Sequence, residues 1–122
     1  MRKNSLFAIL LISNMAIYAQ TPFSVIYTSG QEGHKIYRIP AIIQNGQGGL
    51  LAFAEGRVQG SNDFGDINIV LKRSADEGKT WSALTTLVDF HELQAGNPTP
   101  ILDNTDPRFP KGRIFLFYNT GN

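Results

Sequence analysis

Seven short runs of apolar, β-branched and aromatic residues follow one another from Phe23 to Thr120, and each is bounded by a cluster of Gly, Pro, Asn or Asp. Punctuation this frequent leaves no room for a helix of ordinary length and selects short strands joined by tight turns. The runs are Phe23 to Tyr27, Ile36 to Gln44, Gly49 to Gly56, Ile67 to Ser74, Ala83 to Phe90, Thr99 to Asp103 and Arg113 to Thr120. The breaks are Gly30 to Gly33, Asn45 to Gly48, Gly60 to Gly65, Ala75 to Lys79, Gly96 to Pro98 and Asn104 to Gly112. Twelve glycines, six prolines and thirteen aromatics agree with that reading, because turns use the first two and pleated surfaces the third. The expected fold is all-β.

Composition narrows the function classes. The chain has 122 residues, 42% hydrophobic and 17% charged, with a formal net charge of +1, the balance of a globular protein. A nucleic-acid partner held by bulk charge is not expected. The absence of cysteine excludes disulfides, thiolate metal sites and a cysteine nucleophile. With only His34 and His91 besides, neither a metal nor a cofactor is expected.

The first nineteen residues read separately. Arg2 and Lys3 precede an apolar run from Leu6 to Ile12, and Tyr18-Ala19 comes just before Gln20. A basic start, a short apolar middle and a small residue before a polar one is the layout of a secretory signal peptide, here 1–19 with cleavage after Ala19. The remaining 20–122 carries nine basic and ten acidic side chains, once Arg2 and Lys3 are subtracted from the eleven basic residues. A secreted or periplasmic protein with no membrane attachment after cleavage is expected.

Ser74, Asp76, Gly78, Thr80 and Trp81 form the spacing S-x-D-x-G-x-T-W between two strand runs. Asp can accept from nearby backbone N–H groups, Gly supplies a positive φ, the hydroxyls close the loop, and Trp packs it on the sheet. Calcium is not expected there, since the alternating oxygen ligands and the distant glutamate of a calcium loop are missing. Upstream, strand alternation puts Ile36, Arg38, Pro40 and Ile42 on one face, and an arginine on an apolar face calls either for an anion or for a route to water. Arg57 ends the run from Leu50, and Asp63 follows it by six residues in a Gly-Ser-Asn loop. Guanidinium forks at strand ends suit a carboxylate ligand. Glu55 reads as solvated or paired with a nearby base. Seven strands could close a sandwich, or could build two four-stranded blades of a propeller.

The ordered set Y-R-I-P, L-L-A-F-A-E-G-R, an Asp six residues on, I-x-I-V-L-K-R-S leading into S-x-D-x-G-x-T-W, G-N-P-T-P-I-L-D and G-R-I-F-L-F resembles the N-terminal part of bacterial exo-α-sialidases. The turn signature resembles their Asp box, the bacterial neuraminidase repeat. The resemblance covers residues 23 to 122 and implies a six-bladed β-propeller, with this chain supplying about the first two blades. It implies hydrolysis of terminal sialic acid with retention, on sialylated glycoproteins, glycolipids or oligosaccharides. Arg38 then corresponds to the first arginine of the triad that holds the sialic acid carboxylate, and Arg57 to its neighbour beside the ring. Asp63 corresponds to the acid/base, with Asp66 as its rival, and Asn97 to a substrate-contacting position. The family's tyrosine nucleophile, its activating glutamate and two further arginines have no counterpart in this chain, which alone is expected to be incomplete and inactive. The alternative is a non-catalytic Asp-box propeller that binds glycan or protein.

Overall fold

The computed structural model describes residues 23–121, and the signal-peptide reading of 1–19 lies outside them. Six strands form: β1 (Ile36–Gln44), β2 (Leu50–Arg57), β3 (Ile67–Ser74), β4 (Thr85–Val88), β5 (Gln94–Asp103) and β6 (Arg113–Gly121). No helix occurs among the described residues. Strands β1 to β4 pair antiparallel in sequence order as a four-stranded meander, and β5 and β6 form an antiparallel hairpin. A single parallel bridge, Ile67 to Gln94, joins the two units through β3 and β5. The result is an open sheet, and its first four strands have the arrangement of a propeller blade.

Local chemistry explains the hairpins. In the β1–β2 turn, Asn45 Oδ1 accepts from the backbone N–H groups of Gln47 and Gly49, each at 2.9 Å, while Gly48 takes the positive φ of 88°. The central strand β3 is buried without alternation from Ile67 to Leu71, Asn68 included, so both of its faces are covered there. Phe53, Ile69, Leu71 and Ala95 make the core, with Ala41, Leu51, Val88, Ile114 and Leu116 packed against it. The core therefore draws on both the meander and the β5–β6 hairpin.

The S-x-D-x-G-x-T-W segment is a hydrogen-bonded turn between β3 and β4. Asp76 Oδ1 accepts from Thr80 N–H at 2.9 Å and from Ser74 Oγ at 2.8 Å, and Asp76 Oδ2 accepts from Thr80 Oγ1 at 2.6 Å. Ser74 Oγ accepts in turn from Gly78 N–H at 2.8 Å, and Trp81 Nε1 donates to the Gly78 carbonyl at 3.1 Å. Bonds from the Thr80 hydroxyl and N–H, then from Ser74, lower the Asp76 pKa to about 2.

Three expectations are corrected. Phe23 to Tyr27 is not a strand: Ser24 Oγ donates to the Gly78 carbonyl, Tyr27 Oη donates to the Ala52 carbonyl, and Lys72 Nζ donates to the Ile26 carbonyl. Side-chain bonds hold that segment where ladder bonds were expected, so the described residues form six strands. Gly96 to Pro98 is not a turn but a bulge inside β5, where Asn97 and Pro98 face the single residue Tyr118. A proline, which lacks an N–H, is tolerated where the ladder is already interrupted. A second bulge sets Ile39 and Pro40 opposite Ala54 and reverses the alternation of β1. Arg38, opposite Glu55, therefore shares a face with Ala41, opposite Phe53, and not with Ile42.

Candidate functional site

The two bulges and the end of β2 deliver their side chains to one place. Arg38, Ile39, Glu55, Arg57, Asp63, Gln94 and Asn97 line an open concavity of about 300 Å³. Ile39 and Asn97, one from each bulge, have positive φ values of 49° and 54°. Such a conformation is rare for a β-branched residue, and each such position stores roughly 1 to 3 kcal/mol that the surrounding packing must hold.

Charges alternate along the wall in the order Arg38, Asp63, Arg57, Glu55. Arg38 Nη1 donates to Asp63 Oδ1 at 3.0 Å, and Arg57 Nη1 donates to the same oxygen at 2.8 Å. Arg57 Nε and Nη2 donate to Glu55 Oε2 at 3.0 and 2.7 Å. Arg57 Nη1 also donates to the Ser61 and Asn62 carbonyls, both at 2.7 Å, so this guanidinium shapes the loop that carries Asp63. The Arg57 and Glu55 side chains are 3% and 2% exposed, whereas those of Arg38 and Asp63 are 45% and 69% exposed. The inner pair is thus a fixed base, and the outer pair faces solvent.

Burial opposes the Arg57 charge, but bonds to Glu55 and Asp63 outweigh it and raise the pKa above the usual arginine value. The Arg57 hydrogen bond, then its charge, and more weakly the Arg38 charge hold the Asp63 carboxyl below the ordinary aspartate range. Asp63 is therefore ionised in the ligand-free protein at neutral pH.

Sequence reasoning named Arg38, Arg57, Asp63 and Asn97, and all four line the concavity. Asp66 does not line it, and its Oδ1 is buried without a hydrogen-bond partner. Asn97 Nδ2 donates to Asn119 Oδ1 at 3.1 Å, and the Asn97 backbone N–H donates to Glu55 Oε1 at 2.9 Å. Of the two readings of Glu55, the structure shows the paired one. Ile39 and Gln94 were missed; a positive-φ isoleucine leaves no mark in a sequence, and Gln94 precedes the run expected to start at Thr99. Among the described residues, no three His, Cys, Asp or Glu side chains are grouped to hold a metal ion.

Fold and site define a class: an all-β protein with a concavity in which two guanidinium groups flank an exposed carboxylate at the ends of strands, an arrangement suited to a polar, anionic ligand. No family model matches the chain. Curated relatives do. An exo-alpha-sialidase of Aspergillus fumigatus is 39% identical over 93 residues, which is 71% of this chain and 22% of the relative. A sialidase of Micromonospora viridifaciens is 36% identical over 95 residues, 74% of this chain and 14% of the relative. A sialidase of Clostridium perfringens is 33% identical over 92 residues, 72% of this chain and 22% of the relative. The chain is sialidase-related over about 70% of its length, and the matched stretch spans only 14 to 22% of these relatives.

Proposed function

We propose that this chain supplies the N-terminal part of a secreted exo-α-sialidase, folded as a six-bladed β-propeller, that removes terminal sialic acid from glycoconjugates. The observation that carries the proposal is the meeting of Arg38, Arg57, Asp63 and Asn97 in one concavity, although they come from β1, β2, the 58–66 loop and β5. The S-x-D-x-G-x-T-W turn, with Asp76 at its centre, is an Asp box in this reading and has a structural role.

Sialic acid bears a carboxylate next to its anomeric carbon. Arg38 receives that carboxylate with a planar fork, and Arg57 and Asn97 contact the ring. A carboxylate nucleophile would meet like charge there, so a neutral tyrosine attacks, as sialidases do outside the two-carboxylate scheme. In this reading none of Tyr18, Tyr27, Tyr37 and Tyr118 takes that role. As the tyrosine oxygen bonds to the anomeric carbon and its phenolic proton passes to the family's activating glutamate, the glycosidic bond breaks and Asp63 gives its proton to the departing oxygen. In the second half, Asp63 takes a proton from water, whose oxygen replaces the tyrosine with net retention while the leaving tyrosine recovers its proton from the glutamate. Arg38 is neutralised by the incoming carboxylate and attracts Asp63 less, which eases the protonation that Asp63 needs.

Proton NMR of the sugar released from a sialyl-galactoside by the full-length protein tests this reading. Release of sialic acid with its anomeric configuration retained is expected. Glycan binding without release would instead establish a non-catalytic propeller.

A further inference from the structure

Glu55 joins two parts of the sheet that the backbone connects weakly. Its Oε2 accepts from Arg57 Nε and Nη2, at the end of β2, while its Oε1 accepts from the Asn97 N–H in the β5 bulge at 2.9 Å. Among the described residues no ladder pairs β2 with β5, and backbone pairing between the meander and the hairpin is limited to the bridge from Ile67 to Gln94. The two bonds from Arg57 are buried and the one from Asn97 is partly buried, with Glu55 itself 1% exposed. Space is fitted to this contact as well. A Cβ added at Gly96 would lie 2.8 Å from Glu55 Oε1 and 2.6 Å from Gln94 Nε2. A buried carboxylate is a poor means of gaining stability, because a well-packed apolar side chain often serves as well or better. Its three accepted bonds end on a guanidinium and a strained bulge that both line the concavity, and this points to a role in geometry.

We propose that Glu55 is a positioning residue: its buried carboxylate fixes the Arg57 guanidinium and the Asn97 bulge together, so that ligand-facing groups from two separate hairpins keep one geometry. The part of this that concerns substrate rests on the sialidase reading. Glutamine at this position keeps the size but offers one acceptor oxygen and an NH₂ donor. Whichever way it turns, that NH₂ opposes either the Arg57 donors or the Asn97 N–H.

Two measurements on Glu55→Gln in the full-length protein test the proposal. Hydrogen exchange, which needs no substrate, should quicken about tenfold or more at the Asn97 amide, at the Arg57 Nε–H, or at both, while core amides of β3 keep their protection. With an aryl sialoside, KM should rise about tenfold, as expected for one lost charge-assisted bond to the ligand-holding groups, while kcat changes much less. A purely structural Glu55 would instead lower thermal stability and leave KM unchanged, which would overturn the proposal. Should Glu55→Gln fail to fold, the pair Glu55→Gln/Arg57→Gln buries no unpaired charge, and its KM should be no worse than that of Arg57→Gln alone. A KM clearly higher in the pair than in Arg57→Gln alone would refute the coupling. A wild-type protein inert on every sialoside would sink the sialidase reading, and the exchange result would still decide the role of Glu55.

Discussion

Replacing Arg57 with lysine keeps the charge and removes the fork. In the wild type, five donor–acceptor contacts run from Arg57 to Glu55, Ser61, Asn62 and Asp63, between 2.7 and 3.0 Å. An ammonium has three donors on one atom and cannot grip Glu55 on one side, as Nε and Nη2 do, and the 61–63 loop on the other, as Nη1 does, so about two of the five contacts are lost. Hydrogen bonds to charged groups contribute about 1.5 to 3 kcal/mol each, which sets the expected destabilisation at roughly 3 to 6 kcal/mol. Burial argues against a smaller figure, since the Arg57 side chain is 3% exposed and Glu55 would be left with a shorter, misaligned partner. The loop that carries Asp63 loses both carbonyl contacts at the same time. Chemical denaturation of the purified protein measures this as a lower midpoint with an unchanged slope. A midpoint equal to that of wild type would show that the buried guanidinium network does not hold the β2 end and would refute the reasoning.

Arg38→Lys has its effect on binding more than on stability, because its side chain is 45% exposed and its one ion pair, to Asp63, is screened by solvent. Loss of one charge-assisted bond to a carboxylate should lower kcat/KM for a fluorogenic sialoside about 10- to 150-fold, and an unchanged value would remove Arg38 from the site. Asp76→Ala should lower the melting temperature without lowering specific activity at temperatures where the protein is folded, and the opposite pattern would end the structural reading of that turn. The folded pKa of Asp76, about 2, lies below the ordinary aspartate value, so its contribution to stability is complete above about pH 4 and is lost as pH falls through about 2. Denaturation between pH 5 and pH 2 should therefore show a smaller pH dependence in Asp76→Ala than in wild type.

How much of this was legible in the sequence differs between ladder and bulge. Ile67–Ser74 reads as a strand from its apolar run alone, and the turn centred on Asp76 reads from its spacing, since each side chain there bonds within six residues. Gly96-Asn97-Pro98 carries the residues of a turn, and only pairing with β6 turns it into a bulge. The same holds at Ile39-Pro40, where the proline hints at an interruption but the reversal of faces depends on register with β2. Both failures fall at the site, where local rules are overridden to aim a side chain. Phe23 to Tyr27 has the composition of a strand, yet the contacts that hold it are made with Ala52, Lys72 and Gly78, all distant in sequence. Burial of Glu55 is a tertiary property too, although its spacing of two from Arg57 on one strand put both on the same face.

The assignment of Asp63 as acid/base, and not Asp66, has a consequence that depends on the leaving group. An acid matters most when the departing oxygen is a poor leaving group, and little when it is an activated phenol that leaves unprotonated. Asp63→Ala should slow release from sialyl-galactosides roughly 10² to 10⁴-fold and that from an activated aryl sialoside far less. Asp66→Ala should show no such contrast, because Asp66 lies outside the concavity with one carboxylate oxygen buried. The pH profile offers a second reading of the same role. Arg57 and, more weakly, Arg38 hold the Asp63 pKa down in the free protein. The protonated form therefore becomes more abundant as pH falls toward that lowered value, and kcat/KM for sialyl-galactosides should rise on the same side. Asp63→Ala should abolish that rise. Equal losses on both substrates would mean that binding or folding had been damaged instead, and a leaving-group contrast at Asp66 would move the acid there.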